Sequence, residues 1–169
     1  ELGVGSGCIA IALAKHLVES RIVATDISQP ALAMAEANAR RVGVLDRVRF
    51  ERGDLYEALG GMPVRPRFHL IVSNPPYIPT GQIAALMPEV KDHEPRLALD
   101  GGETGLSFYH RIVAGAPEYL LPTGMLLLET AFDQAAGVAG IMNASEKFSE
   151  PRLIRDAAGH QRCVLTTLR

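Results

Sequence analysis

The chain's 169 residues suffice for one domain with a real core and fall short of two ordinary ones. A hydrophobic share of 47% fits a globular domain, and a formal net charge of −2 with no basic run leaves nothing to track a nucleic-acid backbone. Cys8 and Cys163 lie far apart, no Cys/His cluster has metal-ligand spacing, and no apolar run approaches the roughly 20 residues of a membrane span. These observations disfavour a disulfide framework, a zinc site and membrane embedding, and they point to a reducing compartment, the cytoplasm.

The opening residues, "ELGVGSG", read as the end of a strand entering a glycine turn. Residues 1–169 are therefore expected to be one domain, a fragment beginning at the end of its first strand. "CIAIALAKHL" then has alanine and leucine at helical density, and "RIVATD" is a β-branched run ending in Asp26. "SQPALAMAEANARRVG" carries a helix-start serine, an early proline and a closing Gly43. "RVRFERGD" reads as a strand ending at Asp54, and "RFHLIVSNPPY" as a more deeply buried strand ending at Asn74.

From Ile78 to Glu103 no periodicity is evident, and loops of that length inside a domain are usually functional or mobile. Gly105 to Leu121 reads as a helix interrupted by Gly115 and Pro117, followed by a buried strand, "GMLLLET". A helix near Asp133 to Met142 and two strands, about Phe148 to Asp156 and Gln161 to Leu168, complete the chain. The alternation predicts an α/β fold, a mostly parallel sheet with helices on both faces, the final hairpin placing one antiparallel strand at the edge.

Gly3, Gly5 and Gly7 form GxGxG between a strand end and a helix start, which suits either a bare tight turn or a ligand approaching the backbone. A dinucleotide turn would have glycine where Cys8 stands, so pyrophosphate binding is disfavoured. Cys8 itself reads as a small buried packing residue. Asp26 is spaced to accept from both hydroxyls of a ribose, or to complement the helix beginning near Ser28. Asp54 could reach an adenine amine or be a turn aspartate, with Leu55 covering the ring.

Asn74, Pro75, Pro76 and Tyr77 fall at the carboxyl end of the fourth strand, where open α/β sheets bind ligands. Each proline fixes its own φ, lacks an N–H and pushes the preceding residue to extended geometry. The result is a stiff frame presenting acceptors, suited to an NH2 group on an sp² carbon. The carbonyls of the Asn74 side chain and of Pro75 would each take one hydrogen, orienting a weak nucleophile and stabilising the charge that grows on it. Tyr77 would lie against the flat face of that group, or pack in the core. Glu94, Arg96 and Asp100 could shape an entrance or close the long segment through ion pairs.

This combination resembles the class I S-adenosylmethionine-dependent methyltransferases, in the branch whose NPPY motif methylates planar amino groups. "HEPRLALDGGETGLSFYHRI", His93 to Ile112, looks like the region that follows NPPY in the HemK/PrmC family of protein-glutamine methyltransferases. The resemblance runs from Glu1 nearly to Arg169, and "EPRLALDGG" is its most specific part. It implies S-adenosyl-L-methionine as cofactor and, as protein substrate, the glutamine of the Gly-Gly-Gln motif of a peptide-chain release factor. By the same resemblance Gly3, Val4, Gly5, Ser6 and Gly7 would line the methionine end of the cofactor. Asp26 would hold its ribose, Asp54, Leu55 and Asn74 would complete the cofactor contacts, and Asn74 to Tyr77 would hold the substrate amide. It further implies that the strand leading into Glu1 lies between the strands ending at Asp26 and Asn74. Competing readings are an adenine-specific nucleic-acid methyltransferase, which would flip its base and which the missing basic groove disfavours, a ribosomal-protein glutamine methyltransferase, a nicotinamide-binding domain and a non-catalytic cofactor-binding module.

Overall fold

In the computed structural model, which describes residues 1–169, the chain forms two compact units, Glu1–Pro66 and Arg67–Arg169. In the first, α1 (Cys8–His16) leads to β1 (Ile22–Asp26), α2 (Gln29–Val42) and β2 (Val48–Arg52). Helix α2 starts where the Ser28 hydroxyl accepts from the Ala31 N–H at 3.3 Å, and it ends at Gly43, whose φ of 78° lets its N–H reach back to the last carbonyls. β1 and β2 pair in parallel from Ile22 opposite Val48 to Asp26 opposite Arg52, with α2 as the crossover. Leu2 bridges Thr25 in parallel, so the residues entering the glycine turn continue this ladder on the other side of β1.

The core of this unit is built of small residues. Ala10 and Ala14 of α1, Ala24 of β1, and Ala35 and Ala39 of α2 are fully buried beside Val4, Leu32, Val44 and Val48. Alanine permits close approach of helices and strand at no side-chain entropy cost.

The second unit contains β3 (Phe68–Ser73), two one-turn helices, α3 (Pro88–Lys91) and α4 (Arg96–Leu99), then α5 (Ser107–Gly115), β4 (Leu120–Glu129), α6 (Ala135–Ala144), β5 (Arg152–Arg155) and β6 (Gln161–Thr167). Its sheet has the order β3-β4-β6-β5. β3 and β4 are parallel, and their register shifts between Phe68 and Leu70, where β4 carries Pro122 and Thr123, the latter at φ 62°. Tyr109, Ile112, Leu120, Leu126, Leu128, Val138, Met142, Phe148 and Val164 are among its most deeply buried side chains.

Three expectations change in detail. The helix drawn from Gly105 to Leu121 stops at Gly115, because Pro117 cannot donate in a helical ladder and sits in a 3₁₀ turn, Ala116–Glu118. Leu120 and Leu121 are instead the start of β4, secured where the Phe68 N–H donates to the Tyr119 carbonyl at 2.8 Å. The final hairpin does close the edge, but the reversed strand, β6, lies inside, antiparallel to both neighbours, and β5, exposed along its length, takes the edge. β2 ends at Arg52, since Gly53 and Asp54 turn into a 3₁₀ helix, Leu55–Leu59.

Candidate active site

In the first unit the glycine turn is tied to the end of β1 by one carboxylate. The Gly5 N–H donates to Asp26 Oδ2 and the Ser28 N–H to Asp26 Oδ1, both at 2.9 Å, so Asp26 fixes the turn and the approach to α2 together. The Asn38 side chain donates to the Ser6 carbonyl at 2.9 Å and holds the turn from α2. Gly7, at φ +90°, is required for packing as well as conformation, since a Cβ there would come within 2.9 Å of Ile11 and 3.1 Å of the Ala35 methyl. Over Gly3 and Gly5, by contrast, a Cβ would meet nothing within 4 Å. The backbone is bare and uncovered at those two residues. Val4 is buried and Ser6 half-buried.

Asp54 follows β2, and Leu55 beside it takes φ 50°. A left-handed leucine is sterically costly and turns the backbone sharply at the strand's carboxyl end. Cys8, expected to be buried, is exposed, with its Sγ 3.2 Å from the Ser6 hydroxyl, because the first residue of α1 faces outward.

In the second unit Asn74 follows β3 directly and is exposed, and no residue of the chain engages its side-chain amide. Pro75 is buried, while Pro76 and Tyr77 are half-buried. The long segment after the motif returns to pair with it. The Ile78 N–H donates to the Leu99 carbonyl at 3.0 Å, the Gly101 N–H to the Ile78 carbonyl at 2.8 Å, and the Thr80 N–H to the Gly102 carbonyl at 2.9 Å. Asp100 locks this miniature ladder, accepting from the Thr80 hydroxyl at 2.6 Å and the Gly102 N–H at 3.1 Å, with Arg96 3.4 Å away. The Thr80 bond, aided by the Gly102 N–H and Arg96, holds its carboxyl below the ordinary 3.8. Asp100 therefore closes the segment, resolving one of the alternatives left open for it.

Residues 1–93 match the family described as "Methyltransferase domain". The chain belongs to that methyltransferase domain family. It is 52% identical over 143 residues to the "Release factor glutamine methyltransferase" of Geobacter sulfurreducens, covering 85% of this chain and 48% of that protein. It is 42% identical over 165 residues to the protein of the same name in Thermosynechococcus vestitus, covering 98% of this chain and 56% of that one. The chain thus spans about half the length of the curated relatives it matches. Among solved structures, an O-methyltransferase from Bacillus cereus in complex with SAH superposes with a TM-score of 0.66 at 14% identity, covering 99% of this chain and 72% of that one. The α/β fold expected from alternating strands and helices, and the class I methyltransferase fold that the resemblance implies, is the fold of this chain.

Three further residues with buried or long-range hydrogen bonds near these segments escape a reading of motifs. Glu1 Oε2 accepts from the Ala10 N–H of α1 at 2.7 Å, and burial pushes its carboxyl up to about 7. Gln134 donates its side-chain N–H to the Tyr77 carbonyl at 2.9 Å. Tyr109 is wholly buried, with its hydroxyl donating to the Glu129 carbonyl at 2.9 Å, and burial raises its pKa. Only Glu1 carried a usable signal, an acid directly before a glycine turn. No helix is long and apolar enough to cross a membrane.

Proposed function

We propose that this chain transfers a methyl group from S-adenosyl-L-methionine to the side-chain amide nitrogen of a protein glutamine, in the Gly-Gly-Gln motif of a peptide-chain release factor. The carrying observation is the exposed, unengaged Asn74 amide on a two-proline frame whose downstream end is bonded to Leu99–Gly102. The names of relatives at 42% and 52% identity support the choice of substrate.

The first unit suits the cofactor. Open space over Gly3 and Gly5 would admit its methionine end along the Gly3–Gly7 backbone. Asp26 retains acceptor capacity beyond its two backbone bonds for the ribose hydroxyls, and Asp54 and Leu55 stand at the next strand end for the adenine. Bound there, the cofactor supplies a methyl group on a positively charged sulfur.

The second unit supplies no strong base, and none is needed. An amide nitrogen is weakly nucleophilic because its lone pair is delocalised, and it becomes acidic only after gaining the methyl group. Asn74 Oδ1 and the Pro75 carbonyl would each accept one N–H, turning the nitrogen and stabilising its growing charge. Tyr77 would cover the amide face. The proton leaves to water after transfer. The cytoplasm, where release factors act, is the fitting location.

The test is incubation of the full chain with labelled S-adenosylmethionine and, separately, a release factor, a ribosomal-protein fraction and adenine-containing DNA, locating the label by mass spectrometry. Label on a release-factor glutamine is expected. Label on adenine or on ribosomal protein alone would overturn the reading.

A further inference from the structure

We propose that Gln134 is a positioning residue that sets the direction of the Asn74–Tyr77 arm through the hydrogen bond its amide donates, and not through its bulk. The inference rests on the amide-holding reading of that arm.

Gln134 occupies the N-cap of α6, yet its side chain makes no capping bond. It reaches instead to a residue 57 positions away, donating Nε2–H to the Tyr77 carbonyl at 2.9 Å. Its own Oε1 is buried with no hydrogen-bond partner. The side chain thus forgoes a cap and leaves an acceptor unsatisfied for the sake of one bond, an uncommon arrangement in a folded interior. Turning the amide over would not relieve it, because two acceptors, Oε1 and the Tyr77 oxygen, would then face each other. The carbonyl dictates the orientation.

The surroundings are cut to admit this bond. Gly105, at φ +77°, comes so close that a Cβ would lie 2.3 Å from the Tyr77 oxygen and 2.6 Å from Gln134 Nε2. The peptide plane between Tyr77 and Ile78 is consequently held from both sides: its carbonyl by Gln134, its N–H by the Leu99 carbonyl at 3.0 Å. Upstream, Pro75 and Pro76 make the chain stiff. A stiff arm transmits a rotation at its root and does not absorb it, so the fixed plane decides where Asn74 Oδ1 and the Pro75 carbonyl point. Loss of the Gln134 bond frees one side of that plane, and the acceptors swing together.

Two variants separate donation from packing. Gln134→Met keeps length and volume but has no donor, and Gln134→Glu can donate only when protonated. Both are made in the full chain and compared with wild type by kcat and KM for release-factor methylation, by calorimetric affinity for S-adenosylmethionine, and by hydrogen exchange of the Ile78 and Thr80 amides. For Gln134→Met the expected result is a kcat lower by about tenfold or more, unchanged cofactor affinity and faster exchange at Ile78. Wild-type kcat with unchanged exchange overturns the proposal. Gln134→Glu should match Gln134→Met near neutral pH and approach wild type as the pH falls and its carboxyl protonates. A ratio to wild type that ignores pH overturns the proposal even if Gln134→Met fails to fold. If wild type leaves release factor unmodified, the substrate reading fails by itself, and the Ile78 exchange comparison still decides the role of Gln134.

Discussion

The glycine turn of the first unit and the Asn74–Tyr77 arm of the second solve opposite problems. Around Gly3 and Gly5 the side chains are absent and the space is open, so a ligand bound there would meet the backbone itself. At Asn74 the backbone is stiffened by two prolines and the side chain is exposed, as the proposed acceptor role requires. Their supports differ as well. Asp26 and Asn38 hold the turn from within one βαβ unit, whereas Leu99–Gly102 and Gln134 hold the arm and the residues just after it from two other segments. A surface made from conformational freedom needs only local restraint, while a directed acceptor needs its frame fixed from outside. Damage to the turn should accordingly appear in cofactor affinity, and damage to the arm in turnover.

The sharpest break is expected at Asn74. Asn74→Ala should leave cofactor affinity near that of wild type while turnover falls by about 10²–10³-fold, as for removal of one preorganised transition-state acceptor. Steady-state kinetics beside calorimetric titration measures both. Equal losses in affinity and turnover would erase the division of labour between the two regions.

A smaller effect of the opposite kind is expected from Asp26→Ala. Charge-assisted hydrogen bonds to ribose are worth roughly 1.5–3 kcal/mol each before water compensates, so affinity should drop by about 10- to 100-fold. The same change strips the partners from the Gly5 and Ser28 N–H groups, and a lower melting temperature should accompany it. A destabilised variant that still binds cofactor with wild-type affinity would make Asp26 purely a support of the turn.

The smallest effect concerns Asp100 and pH. Because its folded pKa lies below the ordinary 3.8, its stabilisation is complete above that value and is lost as pH falls through the lowered one. Asp100→Asn should therefore melt below wild type near neutral pH, and the gap should close on acidification. Thermal melts of both proteins across acid pH provide the comparison, and a gap that widens with acid would contradict the sign.

Much of the first unit is legible in the sequence. Ser28, Pro30 and Gly43 bound a helix by chemistry local to the backbone, and β-branched residues in "RIVATD" suit a buried strand by shape. Asp26 reads correctly as a residue at the end of that strand, although its two backbone partners emerge only when the turn folds back on it. In the second unit the motif from Asn74 to Tyr77 was equally legible, because prolines act on their own and the preceding residue alone.

What holds that motif was not. Local propensity favours continuing the helix past Gly115, but Leu120 gains a strand partner in Phe68 of β3, and its burial in the sheet outweighs it. The segment from Ile78 to Glu103 has no period because its order comes from main-chain bonds between Ile78–Thr80 and Leu99–Gly102, which impose no repeating apolar pattern. Gln134 falls inside the helix drawn from near Asp133, with nothing in the sequence to mark it, and only the folded chain brings Tyr77 within its reach. The amino-acid order carries most of the elements and the stiff Asn74–Tyr77 motif, since propensity and proline geometry act over a few residues. The direction in which the motif points was left to tertiary structure, because its restraints come from residues far along the chain.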